Sequence, residues 1–382
     1  MSITTELIEH AMNTFAEVFP PGEFLRDELE ARHWTQTELA EIIGRPVHTI
    51  NEIIAGKKAI TPETAIQLGK SLGTGPEVWM NLESQYQLSK VSGVDEQISR
   101  RAELYSRFPI RQMIKRGWIS ASKNIDVLEQ QVLEFFGIKH LNEQILLSHA
   151  AKKTDANSAV SNLQLAWLRR AWQVADELIT SAYSEVALHQ SLSRLSTLRT
   201  APEETRHVAR ILHECGVRFV IVEPIAGTKI DGACFWLADD KPVVAMTLRL
   251  DRIDNFWFVL RHELEHVLQH HARNQQYILD QEIDSESGTV ITEDEKIAND
   301  AGTEFCVPQN ELAGFVARVS PFFKEERVLM FAQRLNIHPG LVVGQLQRYL
   351  HRYDFFRKYQ VKVRSFVTSS ARTDGWGVLR AD

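Results

Sequence analysis

The sequence predicts a multidomain, mainly α chain: an N-terminal helix-turn-helix bundle, a helical linker domain, and a C-terminal α+β domain with a small sheet. Three observations predict it. Short apolar-periodic runs punctuated by Gly44 and Gly56 fill the first 90 residues, and helical spacing without strand signals continues to about Thr200. After Pro202 the pattern changes to short apolar runs bounded by turn residues, ahead of one long helix. The expected boundaries are 1–90, 91–200 and 201–352, with 353–382 a C-terminal tail to which no role is assigned.

Composition bounds what such a chain does. With 382 residues and 44% hydrophobic content it can bury a large core. No run of about 18 apolar residues occurs, so no membrane span is expected. The opening Met-Ser-Ile-Thr-Thr-Glu lacks the basic and apolar regions of a signal peptide. Cys215, Cys234 and Cys306 are odd in number and lack paired metal spacing, which suits reduced thiols and a cytoplasmic location. A net charge of -7 excludes a globally basic nucleic-acid binder and leaves only local patches.

In the first domain, Phe24, Leu25 and Leu29 mark one helix. Thr35 with Glu38 three residues on forms a capping box that opens a second helix, which Gly44 ends. Pro46 opens a third and Gly56 closes it. Leu39, Ala40, Ile43, Ile50, Ile53 and Ile54 supply the expected core, which makes this a helix-turn-helix. Between Pro21 and Lys90 seven bases face ten acids, yet Arg45 to Lys58 carries three bases and one acid. His48, Thr49 and Asn51 are expected to face the major groove, and Gln36, Arg45, Lys57 and Lys58 to hold phosphates. A homodimer reading paired half-sites is expected, because one such module binds weakly.

The spacing Gln36, Ala40, Gly44, Ile50, Ile53 resembles the XRE/Cro-type DNA-binding domains. The flanks Pro21-Gly-Glu-Phe-Leu25, Ile60-Thr-Pro-Glu-Thr-Ala65 and Leu72-Gly-Thr-x-Pro76-x-x-Trp79 resemble the HigA antitoxin branch. That resemblance implies double-stranded operator DNA as one partner and a toxin as another.

The linker carries no nameable chemistry. Ile125 to Phe136 reads as a helix ended by Gly137, and 152–161 as a polar connection. Leu163 to Leu178 reads as an amphipathic helix with Trp167 and Trp172 in the core and Arg169 and Arg170 on a solvated face. Beyond it, Glu203 to Cys215 is a helix, Val217 to Val222 a buried strand, and Ala233 to Ala238 and Val243 to Leu248 a hairpin around Asp239-Asp240-Lys241-Pro242.

Asn255 to His271 reads as one helix, uninterrupted by Gly or Pro. On it His262 and His266 lie one turn apart, so both imidazoles can reach one zinc ion, with Glu263 beside them. His-Glu-x-x-His is the zincin signature, in which the glutamate is general base for hydrolysis. His270 and His271 lie too far along the helix to compete and are read as exposed. A third ligand is sought on the helix predicted from Glu293 to Pro308, where acids at the N-terminus otherwise satisfy the macrodipole. Glu295 is the choice, since small Ala298 permits close approach and Asn299 is placed to hydrogen-bond in support. His338 and Tyr349 are the candidate oxyanion donors.

The run Gly216 to Pro224, Gly232-Ala-Cys-Phe-Trp236, Asp240-Lys-Pro-Val-Val244, Phe256-Trp-Phe258, the His-Glu-x-x-His and Glu295-x-x-Ala-Asn299 resembles the ImmA/IrrE zinc metallopeptidases over about Pro202 to Leu350. Ile297 stands where many members carry a second acid, which singles out Glu295; Gly302 and Cys306 are departures. The resemblance implies a DNA-tethered zinc endopeptidase that cleaves a repressor, a toxin, another partner or itself. The alternative class is a HigA-like repressor whose zinc-binding domain is a sensor or partner-binding surface without proteolysis.

Overall fold

The computed structural model describes residues 19–90, 94–143, 152–153, 161–270, 278–281 and 293–375. The chain divides into two compact units, Met1–Arg101 and Ala102–Asp382. No helix among the described residues is long and apolar enough to cross a membrane.

The first unit is built from α1 (Pro21–Ala31), α2 (Gln36–Ile43), α3 (Val47–Ile54), α4 (Pro62–Leu72) and α5 (Pro76–Ser89). The capping box forms as expected: Glu38 N donates to Thr35 Oγ1 at 3.2 Å and Thr35 N to Glu38 Oε2 at 2.6 Å. Gly44 ends α2 at φ +67, a left-handed conformation that favours glycine, and so turns the chain into α3. Leu25, Leu29, Leu39, Ala40, Ile50, Ile53, Leu68 and Trp79 close one core, with the Trp79 indole N–H donating to Thr74 Oγ1 at 2.8 Å. Phe24, beside the buried Leu25 on α1, is 42% exposed.

The second unit is organised around a mixed sheet of order β1-β5-β3-β4-β2-β6. Its strands are β1 (Lys152–Lys153), β2 (Arg218–Ile221), β3 (Ile230–Trp236), β4 (Pro242–Met246), β5 (Ile278–Gln281) and β6 (Arg372–Thr373). β3 and β4 form the predicted antiparallel hairpin, whereas β2 runs parallel to β4. Along β2, β3 and β4 successive residues enter different cores: Phe219, Cys234, Trp236 and Val244 one, Val220, Ala233, Phe235 and Val243 the other. Both faces are covered, so these strands read as continuous apolar runs.

That double cover corrects two expected boundaries. The segment 102–200 is not a domain apart. The end of α6 (Val94–Arg107), then α7 (Ile110–Lys115), α8 (Ile125–Phe136) and α9 (Asn162–Asp176), pack on one sheet face, and Trp167 Nε1 donates to Val222 O at 3.0 Å. A sheet with two apolar faces needs a layer on each, and these helices supply one. Arg169, expected on a solvated face, is half-buried: its Nε donates to Phe135 O at 2.8 Å at the end of α8. Residues 353–375, expected only as a tail without an assigned role, belong to the same unit. Val363 and Val367 are buried, and β6 pairs with β2.

On the opposite face lie α10 (Glu185–Thr197), α11 (Val208–Glu214) and α12 (Ile253–Leu268), followed by α13 (Glu293–Cys306), α14 (Gln309–Val319), α15 (Glu325–Arg334), α16 (Pro339–Leu350) and the short α17 (Arg364–Val367). Gly302 on α13 lets the two long helices meet, since a Cβ there would stand 3.0 Å from Phe258 O. Cys306, the other departure, is buried in the same core, and all three cysteines are buried free thiols.

Candidate metal centre and nucleic-acid face

α12 lies with almost every side chain buried, and His262, Glu263 and His266 are each 0% exposed. Such burial of polar groups is costly unless they have partners, so their arrangement is specific. The His262 and His266 rings are 4.7 Å apart at 75°, with their Nε2 atoms 3.0 Å from each other. From α13, Glu295 brings Oε2 to 3.3 Å from His262 Nε2 and Oε1 to 3.6 Å from His266 Nε2. The three side chains offer ligand atoms all within 4.8 Å of one another. Donors bonded at about 2.0–2.2 Å around a tetrahedral ion stand roughly 3.3–3.6 Å apart. The observed spacings lie in and just below that range, so these three residues could hold a metal ion.

Glu263, between the two histidines in sequence, packs against β3. A Cβ on Gly232 would fall 2.5 Å from Glu263 Oε1 and 2.8 Å from Val259 Cγ1, so the bare strand is what admits the carboxylate. Cys234, two residues along, has its thiol pushed well above the usual range by burial and by the Glu263 charge. In the sequence Gly232 stands out only as the first residue of the motif Gly232-Ala-Cys-Phe-Trp236. A lone glycine inside an apolar strand is the sequence signal for such a close approach. Asn299 stands one turn beyond Glu295 on α13, half-buried, with Oδ1 enclosed and without a hydrogen-bond partner among the described residues.

The oxyanion candidates are not brought to this cluster by any described contact. His338 is the N-cap of α16, and its Nδ1 accepts from Gly340 N at 3.0 Å. Burial holds its pKa below the usual histidine value. Tyr349 is 59% exposed on the same helix. His270, beyond the end of α12, is half-buried rather than exposed, 3.0 Å from Glu185 Oε2; His271 lies outside the described residues.

In the first unit, α3 presents His48 and Asn51 to solvent, and Lys57 and Lys58 are exposed just after it. Thr49 does not join them: it is 4% exposed, because it lies one turn before Ile53 and shares that buried face. Arg45 is also less free than expected, its Nε donating to Gln67 Oε1 at 2.8 Å while Nη2 stands 3.0 Å from Glu63. Gln36, the first residue of α2, is half-buried.

Residues 25–79 match the helix-turn-helix family HTH_3. A protein of Escherichia coli K12 described as the uncharacterized HTH-type transcriptional regulator YddM is 30% identical over 70 residues, 18% of this chain and 74% of the relative. Virulence-associated protein I of Dichelobacter nodosus is 33% identical over 78 residues, 20% of this chain and 71% of its own length. Among solved structures, an addiction module antidote protein of a HigA family from Coxiella burnetii is 34% identical, covering 19% of this chain and 80% of that one, with a TM-score of 0.19. PA4674 of Pseudomonas aeruginosa, solved with its operator DNA, is 33% identical over 22% of this chain and 91% of that one, with a TM-score of 0.21.

Proposed function

The chain belongs to the helix-turn-helix family HTH_3 through residues 25–79, and from that premise we propose a DNA-binding transcriptional regulator that carries a zinc-dependent endopeptidase in its second unit. The DNA reading is supported by family membership and by the exposed His48, Asn51, Lys57 and Lys58 on and after α3. Asn51 is the residue best suited to read adenine, and the lysines to meet phosphate. A homodimer on paired half-sites and a toxin partner of the HigA kind belong to the same proposal.

The observation that carries the enzymatic reading is the convergence of His262, His266 and Glu295 from two helices, with Glu263 buried alongside. Those three would hold the ion, and when bound it would polarise a scissile carbonyl and acidify water. Glu263 would take the proton of the attacking water on its carboxylate and return it to the leaving amine nitrogen. Gly232 sets where that carboxylate stands, and Asn299 is positioned to support the Glu295 side. Of the linker, the helices of 102–176 pack against the far sheet face, whereas α10 shares the core of α12.

The second reading, a zinc-binding sensor without proteolysis, is favoured by one observation: His262, Glu263 and His266 are wholly enclosed. Glu263→Gln and His262→Ala separate the two. The expected result is one metal ion per chain in the wild type and Glu263→Gln, none in His262→Ala, and loss of new protein termini in cells carrying Glu263→Gln. Unchanged termini in that variant would leave the sensor reading; absence of metal from the wild type would remove both.

A further inference from the structure

We propose that a cavity of about 220 Å³ in the N-terminal unit, walled by α1, the end of α3 and α5, binds a phosphate group. The inference stands apart from the metal centre and from the peptidase reading. At about 30 Å³ per water the space holds an oxyanion and several waters. Lys57, Lys58 and Lys90, all exposed, are among the residues that line it. Lys58 has a carboxylate 3.7 Å away on Glu52, but Lys57 and Lys90 have no acidic partner among the described residues; Lys90 instead stands 3.7 Å above the Tyr86 ring.

The wall holds one carboxylate, Glu83, held by hydrogen bonds from uncharged donors, so the three lysines outnumber it. It is 7% exposed, with Oε2 accepting from Ile60 N at 2.9 Å and Oε1 from Gln87 Nε2 at 2.6 Å. Three positive side chains around one cavity repel each other, and an anion between them reverses the sign of that interaction. A phosphate suits the site better than a carboxylate, because its higher charge and additional oxygens offer more acceptors to several cationic side chains. Lys57 and Lys58 also follow α3 on the side proposed to meet DNA, so the phosphate can come from a duplex backbone or from a free phosphate species.

The test uses the full chain. Inorganic phosphate is titrated calorimetrically at constant ionic strength with chloride as control, and a random-sequence duplex is titrated over a range of salt. Lys90→Ala and Lys90→Arg are compared with wild type, and circular dichroism checks that both fold. One phosphate per chain, weakened roughly tenfold by Lys90→Ala and retained by Lys90→Arg, assigns a free phosphate ligand. No phosphate site, but a salt slope for duplex binding reduced by about one in Lys90→Ala, assigns the DNA backbone. If phosphate binds no better than chloride and the duplex slope is unchanged, the proposal is wrong.

Discussion

On α3 one residue step decides which side chains are left open to solvent. Each step turns the helix by about 100°, so Thr49 falls in line with Ile53 while His48 and Asn51 swing outward. Asn51→Ala is expected to weaken binding to duplexes selected from a random pool by about 1–3 kcal/mol at one base pair. Thr49→Ala should leave that affinity alone and lower the melting temperature instead; fluorescence anisotropy and thermal melts read the two. A second residue-scale expectation concerns His338. Burial holds its imidazole below the ordinary 6.5, and its Nδ1 must stay unprotonated to accept from Gly340 N. Its contribution is therefore fully present above pH 6.5 and is lost as pH falls through the depressed folded value. His338→Asn keeps a capping acceptor that does not titrate, so the second unit of that variant should lose less stability on acidification below pH 6.5. Melting curves across that range would show equal losses if the cap were unimportant.

At the scale of elements, the pairing of β3 with α12 is set by a missing methyl. Gly232→Ala places an atom where Glu263 and Val259 already stand, and overpacking of this kind costs about 1–3 kcal/mol. Adding Val259→Ala relieves the aliphatic half of the clash, so the double variant should regain part of the stability while Glu263 stays displaced. Urea denaturation of the three proteins measures this, and no recovery would mean that the clash with Val259 is not the cause. Other elements announce themselves locally. Thr35 with Glu38, Gly44 and Gly137 each satisfy backbone groups within a few residues, so α2 and the ends of α2 and α8 were readable before any fold was known. The placement of α6 to α9 was not. Their apolar stripes are equally consistent with a bundle of their own and with a layer on a sheet more than 40 residues further along.

For the whole molecule, the first unit buries its own core, led by Leu25, Leu39, Ile50 and Trp79, and the second buries its two cores against one sheet. Separate cores predict separate cooperative transitions in differential scanning calorimetry. If the proposed ion is held, a chelator should lower only the transition of the second unit, by about 4 kcal/mol at a metal concentration a thousand times the dissociation constant. A shift of both transitions, or of neither, would count against a metal confined to α12 and α13.

What the residues alone determined is whatever depends on short range: the capping box, the turn at Gly44, the two imidazoles one turn apart on a single helix, and the apolar runs about a polar turn that mark β3 and β4. Those follow from helical and strand periods, which neighbouring residues carry by themselves. Tertiary structure decided which surfaces meet. It took Thr49 inside, turned His338 into a cap, drew 353–375 back onto the body, and brought Glu295 of α13 against His262 and His266. Each of these depends on contacts between segments far apart in the chain, where packing of apolar area and loss of conformational entropy are balanced over the whole unit rather than within any one element.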